Sequence, residues 1–193
     1  RQLRYTLRRQ RPMGIRDSSW SDTIKTVIDS IHTPQNISLK LVQSKSKTAL
    51  QFDSLGLVNI AYLDSNIRIQ LVYATPENFT GEVLYDDLTE AYLHTEAAKA
   101  IVTAQQLLKE KHPTFNLVIY DATRPMRAQR KMWNIVKGTS KNIYVSNPAR
   151  GGGLHNYGLA VDVTILDSLD IPLPIGAEFD HLGYESNITQ EDV

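Results

Sequence analysis

Cysteine is absent from this 193-residue chain. The absence excludes disulfide bonds, cysteine nucleophiles and thiolate zinc sites, so histidine, aspartate and glutamate are the plausible metal ligands. It also suits an exported protein, and the first residue is Arg1 rather than Met, as expected after removal of an export signal. Neither observation gives the location directly, and the expectation is a periplasmic or exported protein rather than a cytoplasmic one.

Excess charge and long apolar runs are also absent. The 21 basic residues balance 21 acidic ones, which argues against a nucleic-acid-binding protein, because such proteins need a basic surface to displace counterions. A membrane-spanning helix needs about 20 consecutive apolar residues, and the sequence contains no such run. We expect a water-soluble protein whose partner is a small molecule or a peptide.

Local patterns predict a mixture of helices and strands. Six arginines in residues 1–16 indicate a solvated arm, which a short helix from Ser21 to Pro34 would follow. Because the strands and helices do not alternate regularly, the expected fold class is α+β. The predicted strands are 37–43, 67–73, 117–119 and 158–166, and the predicted helices further along are 88–111 and 126–136. The apolar stripe predicted for helix 88–111 consists of Leu93, Ala97, Ala100, Ile101, Ala104, Leu107 and Leu108.

The stretch "RGGGLHNYGLAVDVTIL", residues 150–166, carries a histidine and an aspartate in an otherwise strand-like run. A straight strand would hold His155 and Asp162 about 23 Å apart, at roughly 3.3 Å per residue. The surrounding glycines supply a bend that could fold His155 back toward Asp162, where both could bind one Zn²⁺. A hydrogen-bonded structural pair is the alternative, although a carboxylate buried in "AVDVTI" would need a cation or another partner.

Arg124 follows the predicted strand in "YDATRP". An arginine at a strand end can stabilise a developing oxyanion or hold a substrate carboxylate. The alternative is a surface arginine that pairs with Asp121.

Four ordered blocks resemble the D-alanyl-D-alanine dipeptidases, zinc peptidases associated with vancomycin resistance and with recycling of cell-wall D-dipeptides. The blocks are "IRIQLVYATPENFTG", "YDATRP", "HNYGLAVDVTI" and "PIGAEFD", and together they cover about residues 56–186. The resemblance implies a bacterial protein with a small, mostly antiparallel sheet and flanking helices, the fold shared with D,D-carboxypeptidases and the hedgehog domain. Residues 1–55 would lie outside this domain and 56–193 would form it.

The resemblance also implies roles for individual residues. His155 and Asp162 would be zinc ligands, and Arg124 would stabilise the tetrahedral intermediate. Tyr73, Asn78 and Phe79 would contribute to the substrate pocket. The family's usual serine two positions before the histidine is replaced here by Gly153, so one substrate hydrogen bond is lost or supplied elsewhere.

The third zinc ligand and the general base come, in this family, from a Glu-x-x-His block further downstream. We expect that block to lie beyond Val193, since Glu178 and His181 coincide with the Gly-x-x-Phe-Asp turn and are interpreted as part of it. The implied function is zinc-dependent hydrolysis of D-alanyl-D-alanine or a related dipeptide. The alternatives are a D,D-carboxypeptidase acting on longer cell-wall peptides and an inactive binding module with the same fold.

Overall fold

The computed structural model describes residues 45–174, 179–180 and 182. The predicted arm, the helix from Ser21 and the strand at 37–43 lie outside these residues. The described part forms an α+β fold, which confirms the predicted class. Its helices are α1 (Lys47–Ser54), α2 (Thr95–Lys111) and α3 (Met126–Val136), and its strands are β1 (Val58–Asn59), β2 (Arg68–Ile69), β3 (Tyr92–Leu93), β4 (Asn116–Asp121) and β5 (Asp162–Leu166).

The strands form two small sheets. One has the order β2-β4-β5, in which β4 pairs parallel with β2 and antiparallel with β5. The other pairs β1 with β3 antiparallel. The central strand carries the predicted apolar run of Leu117, Val118 and Ile119, and all three residues are buried. Because successive side chains point to opposite faces of the sheet, both faces of β4 are covered here. The strand predicted at 67–73 is shorter, since the chain enters a 3₁₀ turn at Val72–Ala74.

Helix α2 begins later than predicted. Residues 91–93 are buried without interruption, a pattern that suits an extended segment between two packed layers and not a one-sided helical stripe. The helix starts after His94, whose Nδ1 accepts from the backbone N–H of Glu96. The predicted stripe is wrong in part: the buried positions are Ala98, Ile101 and Gln105, whereas Leu107 is 52% exposed.

Helix α3 has the predicted bounds. Pro125 precedes its first turn, where a missing N–H costs nothing, and Gly138 with φ +80° follows its end. Its buried face comprises Ala128, Gln129, Met132 and Val136. Gln129 thereby faces the loop between β4 and α3.

Helix α1 packs on the same core as these elements. Ser46 caps its first turn, and the ring of Phe52 meets that of Tyr92 edge-on at 5.6 Å. The compact unit that contains α1 begins at Ser44. The predicted division between 1–55 and 56–193 stays a prediction. In the part of the chain that the structure describes, no helix is long and apolar enough to cross a membrane.

Candidate active site

The site lies where β4 ends and β5 begins. The two strands are antiparallel, and their register places Asp121, the last residue of β4, opposite Asp162, the first residue of β5. An irregularity between Ile119 and Asp121 breaks the ladder next to this pair. Asp162 thus stands at the start of its strand, with 36% of its side chain exposed. The expectation that this carboxylate is buried within the strand is wrong.

A glycine-bounded turn brings His155 to Asp162. The turn spans Leu154–Tyr157 and ends at Gly158, which has φ +69°. This left-handed conformation reverses the chain, and the carbonyl of Gly158 accepts from the backbone N–H of His94 at 2.8 Å. As a result, Nε2 of His155 lies 3.5 Å from Oδ1 of Asp162. The predicted bend is confirmed.

The imidazole of His155 is oriented by the backbone of the neighbouring loop. Its Nδ1 lies 3.0 Å from the carbonyl oxygen of Ala122, so Nδ1 carries a proton and donates it there. This leaves Nε2 directed at Asp162, the arrangement of a metal-ligating histidine. Burial works against protonation of His155, but its hydrogen bond to Asp162 and the charges of Asp121 and Asp162 outweigh burial and raise its pKa.

Arg124 is buried beside this pair, which corrects the alternative that placed it on the surface. Its Nε and Nη2 donate to Oδ2 of Asp121 at 2.9 and 2.6 Å, and its Nη1 donates to Oε1 of Gln129 at 3.1 Å. The guanidinium carbon lies 5.1 Å from the ring centre of Tyr73, and Nη2 is 3.8 Å from Oδ2 of Asp162. Although burial disfavours its charge, the carboxylate of Asp121 raises the pKa of Arg124.

Asp121 anchors Arg124 from a fully buried position. Its Oδ1 accepts from the hydroxyl of Tyr85, and its Oδ2 accepts both bonds from Arg124. Burial raises the pKa of Asp121, while the charge of Arg124 opposes the increase. The sequence indicated the pair, but not that it would be buried.

The described residues fit part of a zinc site. Asp121, His155 and Asp162 each offer a ligand atom, and these atoms lie within 4.8 Å of one another. However, Asp121 lies 3.4 Å from Nδ1 of His155, on the imidazole edge that faces Ala122, and both of its oxygens already accept hydrogen bonds. The atoms suited to one metal ion are therefore Nε2 of His155 and the carboxylate of Asp162. Catalytic zinc sites normally have three protein ligands.

The predicted pocket residues Tyr73 and Phe79 meet at Asp180. The hydroxyl of Tyr73 donates to Oδ1 of Asp180, the backbone N–H of Phe79 donates to Oδ2 at 3.2 Å, and the two rings meet edge-on. Burial raises the pKa of Asp180. Asp180 was not predicted as a site residue, although its "EFD" block was part of the resemblance.

Asn78, the third predicted pocket residue, organises its own loop. Its Nδ2 donates to the carbonyls of Thr75 and Glu82, and its Oδ1 accepts from both the backbone N–H and the hydroxyl of Thr80. These four bonds use the full hydrogen-bonding capacity of the amide. Asn78 therefore shapes the loop that carries Phe79.

Asn156 and Gln129 were missed by the sequence analysis. The side chain of Asn156 accepts from the N–H of Gly153 at 2.8 Å and donates to the carbonyl of Arg124 at 2.9 Å. The N–H of Arg124 in turn donates to the carbonyl of His155 at 2.9 Å. The turn that carries His155 and the loop that carries Arg124 are thus joined into one unit. No local pattern marks these residues, since each also binds a partner that is distant in sequence, Arg124 for Asn156 and Ser146 for Gln129.

Comparison with known proteins identifies the family of this chain. A family model described as D-ala-D-ala dipeptidase matches residues 53–193. The chain belongs to this dipeptidase family. Within it, the D-alanyl-D-alanine dipeptidase of Escherichia coli (strain K12) is 32% identical over 135 residues, which are 70% of this chain and 66% of that relative. The chain thus spans slightly less than two thirds of the relative's length.

In this dipeptidase-family chain, the third zinc ligand and the general base were expected from a Glu-x-x-His block beyond Val193. No Glu-x-x-His pair occurs among the residues that the structure describes, and Glu178 and His181 lie outside them. Asp162 lies within 4 Å of both the other predicted zinc ligand, His155, and the predicted catalytic Arg124. Their roles stay predictions.

Proposed function

We propose that this protein hydrolyses D-alanyl-D-alanine, or a related small cell-wall D-dipeptide, with the help of zinc. The observation that carries the proposal is the position of a buried, permanently charged Arg124 beside the open edge formed by His155 and Asp162. Membership in the dipeptidase family and the printed name of the E. coli relative support the substrate. No other arrangement of charged residues in the described chain combines a histidine, an acidic pair and a buried arginine.

His155 and Asp162 would hold the zinc ion, together with a ligand from outside the described residues. When bound, zinc would act as a Lewis acid toward the scissile carbonyl and would lower the pKa of water. The hydrogen bond from Nδ1 of His155 to Ala122 keeps Nε2 available for this role.

Arg124 would stabilise the negative charge that develops on the carbonyl oxygen. A guanidinium has five N–H groups, and three of those on Arg124 donate to Asp121 and Gln129. Two remain for the substrate among the contacts described. Because Asp121 and Gln129 already hold the guanidinium in place, these donors need no reorganisation when the charge develops.

The charges around the site complement a zwitterionic dipeptide. Arg124 suits its carboxylate or its developing oxyanion, whereas the carboxylate of Asp180 suits its ammonium group. Tyr73 lies between them, since its ring covers Arg124 and its hydroxyl contacts Asp180. Tyr73 and Phe79 would line the pocket, and Asn78 would hold the shape of its loop.

The proposed substrate also indicates where in the cell this protein would act. A protein that acts on fragments of the bacterial cell wall is expected in the periplasm or outside the cell, and the absence of cysteine suits an oxidising compartment. Neither a nucleic acid nor a membrane is required as a partner.

The direct test is release of D-alanine by the full-length, zinc-supplied protein. We expect hydrolysis of D-alanyl-D-alanine, none of L-alanyl-L-alanine, and loss of activity with a chelator that returns on addition of zinc. A clear preference for an N-acylated peptide ending in D-alanyl-D-alanine would instead assign a D,D-carboxypeptidase. Absence of hydrolysis of both substrates would assign an inactive binding module.

A matched pair of variants tests the arginine. Arg124→Lys should lower kcat by about 100-fold, because lysine cannot reproduce the planar donors that bind Asp121 and face the substrate. Arg150→Lys, at an exposed arginine of the 3₁₀ turn Pro148–Arg150, should leave kcat unchanged. Equal rates for the two variants would contradict the role given to Arg124.

A further inference from the structure

The backbone conformation at position 153, two residues before His155, does not require a glycine. Its φ of −126° and ψ of −179° are ordinary extended values that any residue adopts. A Cβ atom at this position would instead lie 2.5 Å from Oγ and 3.0 Å from Cβ of Ser146. The side chain of Ser146 therefore fills the space that a residue at position 153 would use.

Ser146 is fixed relative to Arg124 by a buried amide. Nε2 of Gln129 donates to the backbone carbonyl of Ser146 at 2.7 Å, and Oε1 of the same side chain accepts from Nη1 of Arg124 at 3.1 Å. Gln129 is 1% exposed, so this link is shielded from water. The backbone of Ser146 is thus linked to Arg124 through the amide of Gln129, and its side chain lies beside Gly153.

The hydroxyl of Ser146 is available to a ligand. The residue is exposed, and its Oγ makes no hydrogen bond to any residue that the structure describes. A hydroxyl can donate to an anionic partner such as a carboxylate, and the guanidinium of Arg124, which Gln129 links to the backbone of Ser146, favours negative charge on this side of the site. The ammonium group of a dipeptide would be directed instead toward the acidic side of the site at Asp180.

We propose that Ser146 is a substrate-binding residue whose hydroxyl donates to the carboxylate of the bound D-dipeptide, in place of a side chain at position 153. This inference rests on the proposed dipeptidase function. It assigns substrate recognition to a segment between α3 and the turn of His155, outside the blocks that carry the family resemblance. It also accounts for Gly153, because only glycine leaves room for Ser146.

Steady-state kinetics and melting temperatures of the full-length, zinc-supplied protein test the proposal. Ser146→Ala should raise KM for D-alanyl-D-alanine about tenfold, with kcat within about twofold of wild type, because one hydrogen bond to a charged group is lost. Its melting temperature should not change, since the side chain is exposed. Ser65→Ala, at an exposed serine in the turn before β2, is the matched control and should change neither quantity.

A swap of the two positions separates a binding role from a structural one. Ser146→Gly alone should raise KM like Ser146→Ala, whereas Ser146→Gly combined with Gly153→Ser should return KM to within about threefold of wild type, since it restores a hydroxyl to the same space. If the wild type is active and Ser146→Ala has the same KM, this inference is wrong and the proposed function stands. A raised KM that comes with a lower melting temperature and is not restored by the swap also overturns it. A wild type that releases no D-alanine overturns the proposed function and this inference together.

Discussion

Arg124 and Asp121 form a buried ion pair in which Nε and Nη2 of the arginine both donate to one carboxylate oxygen, at 2.9 and 2.6 Å. Asp121 is fully buried, and 11% of the Arg124 side chain is exposed. A buried pair of this kind adds little net stability over apolar residues, but removal of one partner leaves a buried charge. The pair is thus better explained by the position it gives Arg124 than by stability.

Replacement of one or both members of this pair should separate stability from activity. Asp121→Asn should lower the free energy of unfolding by about 3–5 kcal/mol, because Arg124 loses its counterion. Asp121→Asn combined with Arg124→Met should be more stable than Asp121→Asn alone, yet it should remain inactive. Urea unfolding and D-alanine release are the measurements, and a single variant as stable as wild type would contradict the description of the pair.

Gly158 should be the least replaceable glycine of the site turn. Its φ is +69°, and a Cβ atom there would lie 2.8 Å from the backbone nitrogen of His94 and 2.8 Å from Oγ1 of Thr123. Gly158→Ala should therefore cost about 1 kcal/mol for the backbone conformation plus about 1–3 kcal/mol for the overlap. Gly138→Ala is the control, since φ is +80° there but no atom lies within 4 Å. Equal losses in urea unfolding would show that the close approach at Gly158 has no cost.

Asn156 should act on the metal through the position of His155. Asn156→Ala removes the bonds to the N–H of Gly153 and to the carbonyl of Arg124, so the turn should hold His155 less firmly. We expect zinc affinity to fall about tenfold, as for residues that orient a ligand without binding the metal. The exposed Asn142→Ala serves as the control in zinc titrations. Unchanged zinc affinity in Asn156→Ala would remove this positioning role.

Local sequence patterns were sufficient for the parts of the fold that depend on near neighbours. Helix α3 has the predicted bounds because its proline start and glycine stop are local signals. The bend before β5 was also predictable, since Gly158 marks it. The start of α2 was not, because β3 is extended through its pairing with β1, in which Leu93 lies opposite Val58, 35 residues earlier in the chain.

The predicted site residues were found by residue type, whereas their supporting partners were not. His155 and Asp162 are close together as expected, but Asp121, Gln129 and Asn156 act through contacts that span 3 to 34 residues of sequence. Glutamine and asparagine carry no pattern that distinguishes a buried link from a solvated side chain. Only the packed structure shows that Asn156 joins the loop of Arg124 to the turn of His155 and that Gln129 joins Arg124 to the backbone of Ser146.

The central claim is that His155 and Asp162 provide the metal-binding edge of the site, and zinc titration of the full-length protein tests it most directly. Wild type should bind one zinc ion, and His155→Ala and Asp162→Ala should each weaken zinc binding more than about 100-fold. His112→Ala, at an exposed histidine, should bind zinc as wild type does. Zinc affinity in His155→Ala equal to that of wild type would contradict the central claim.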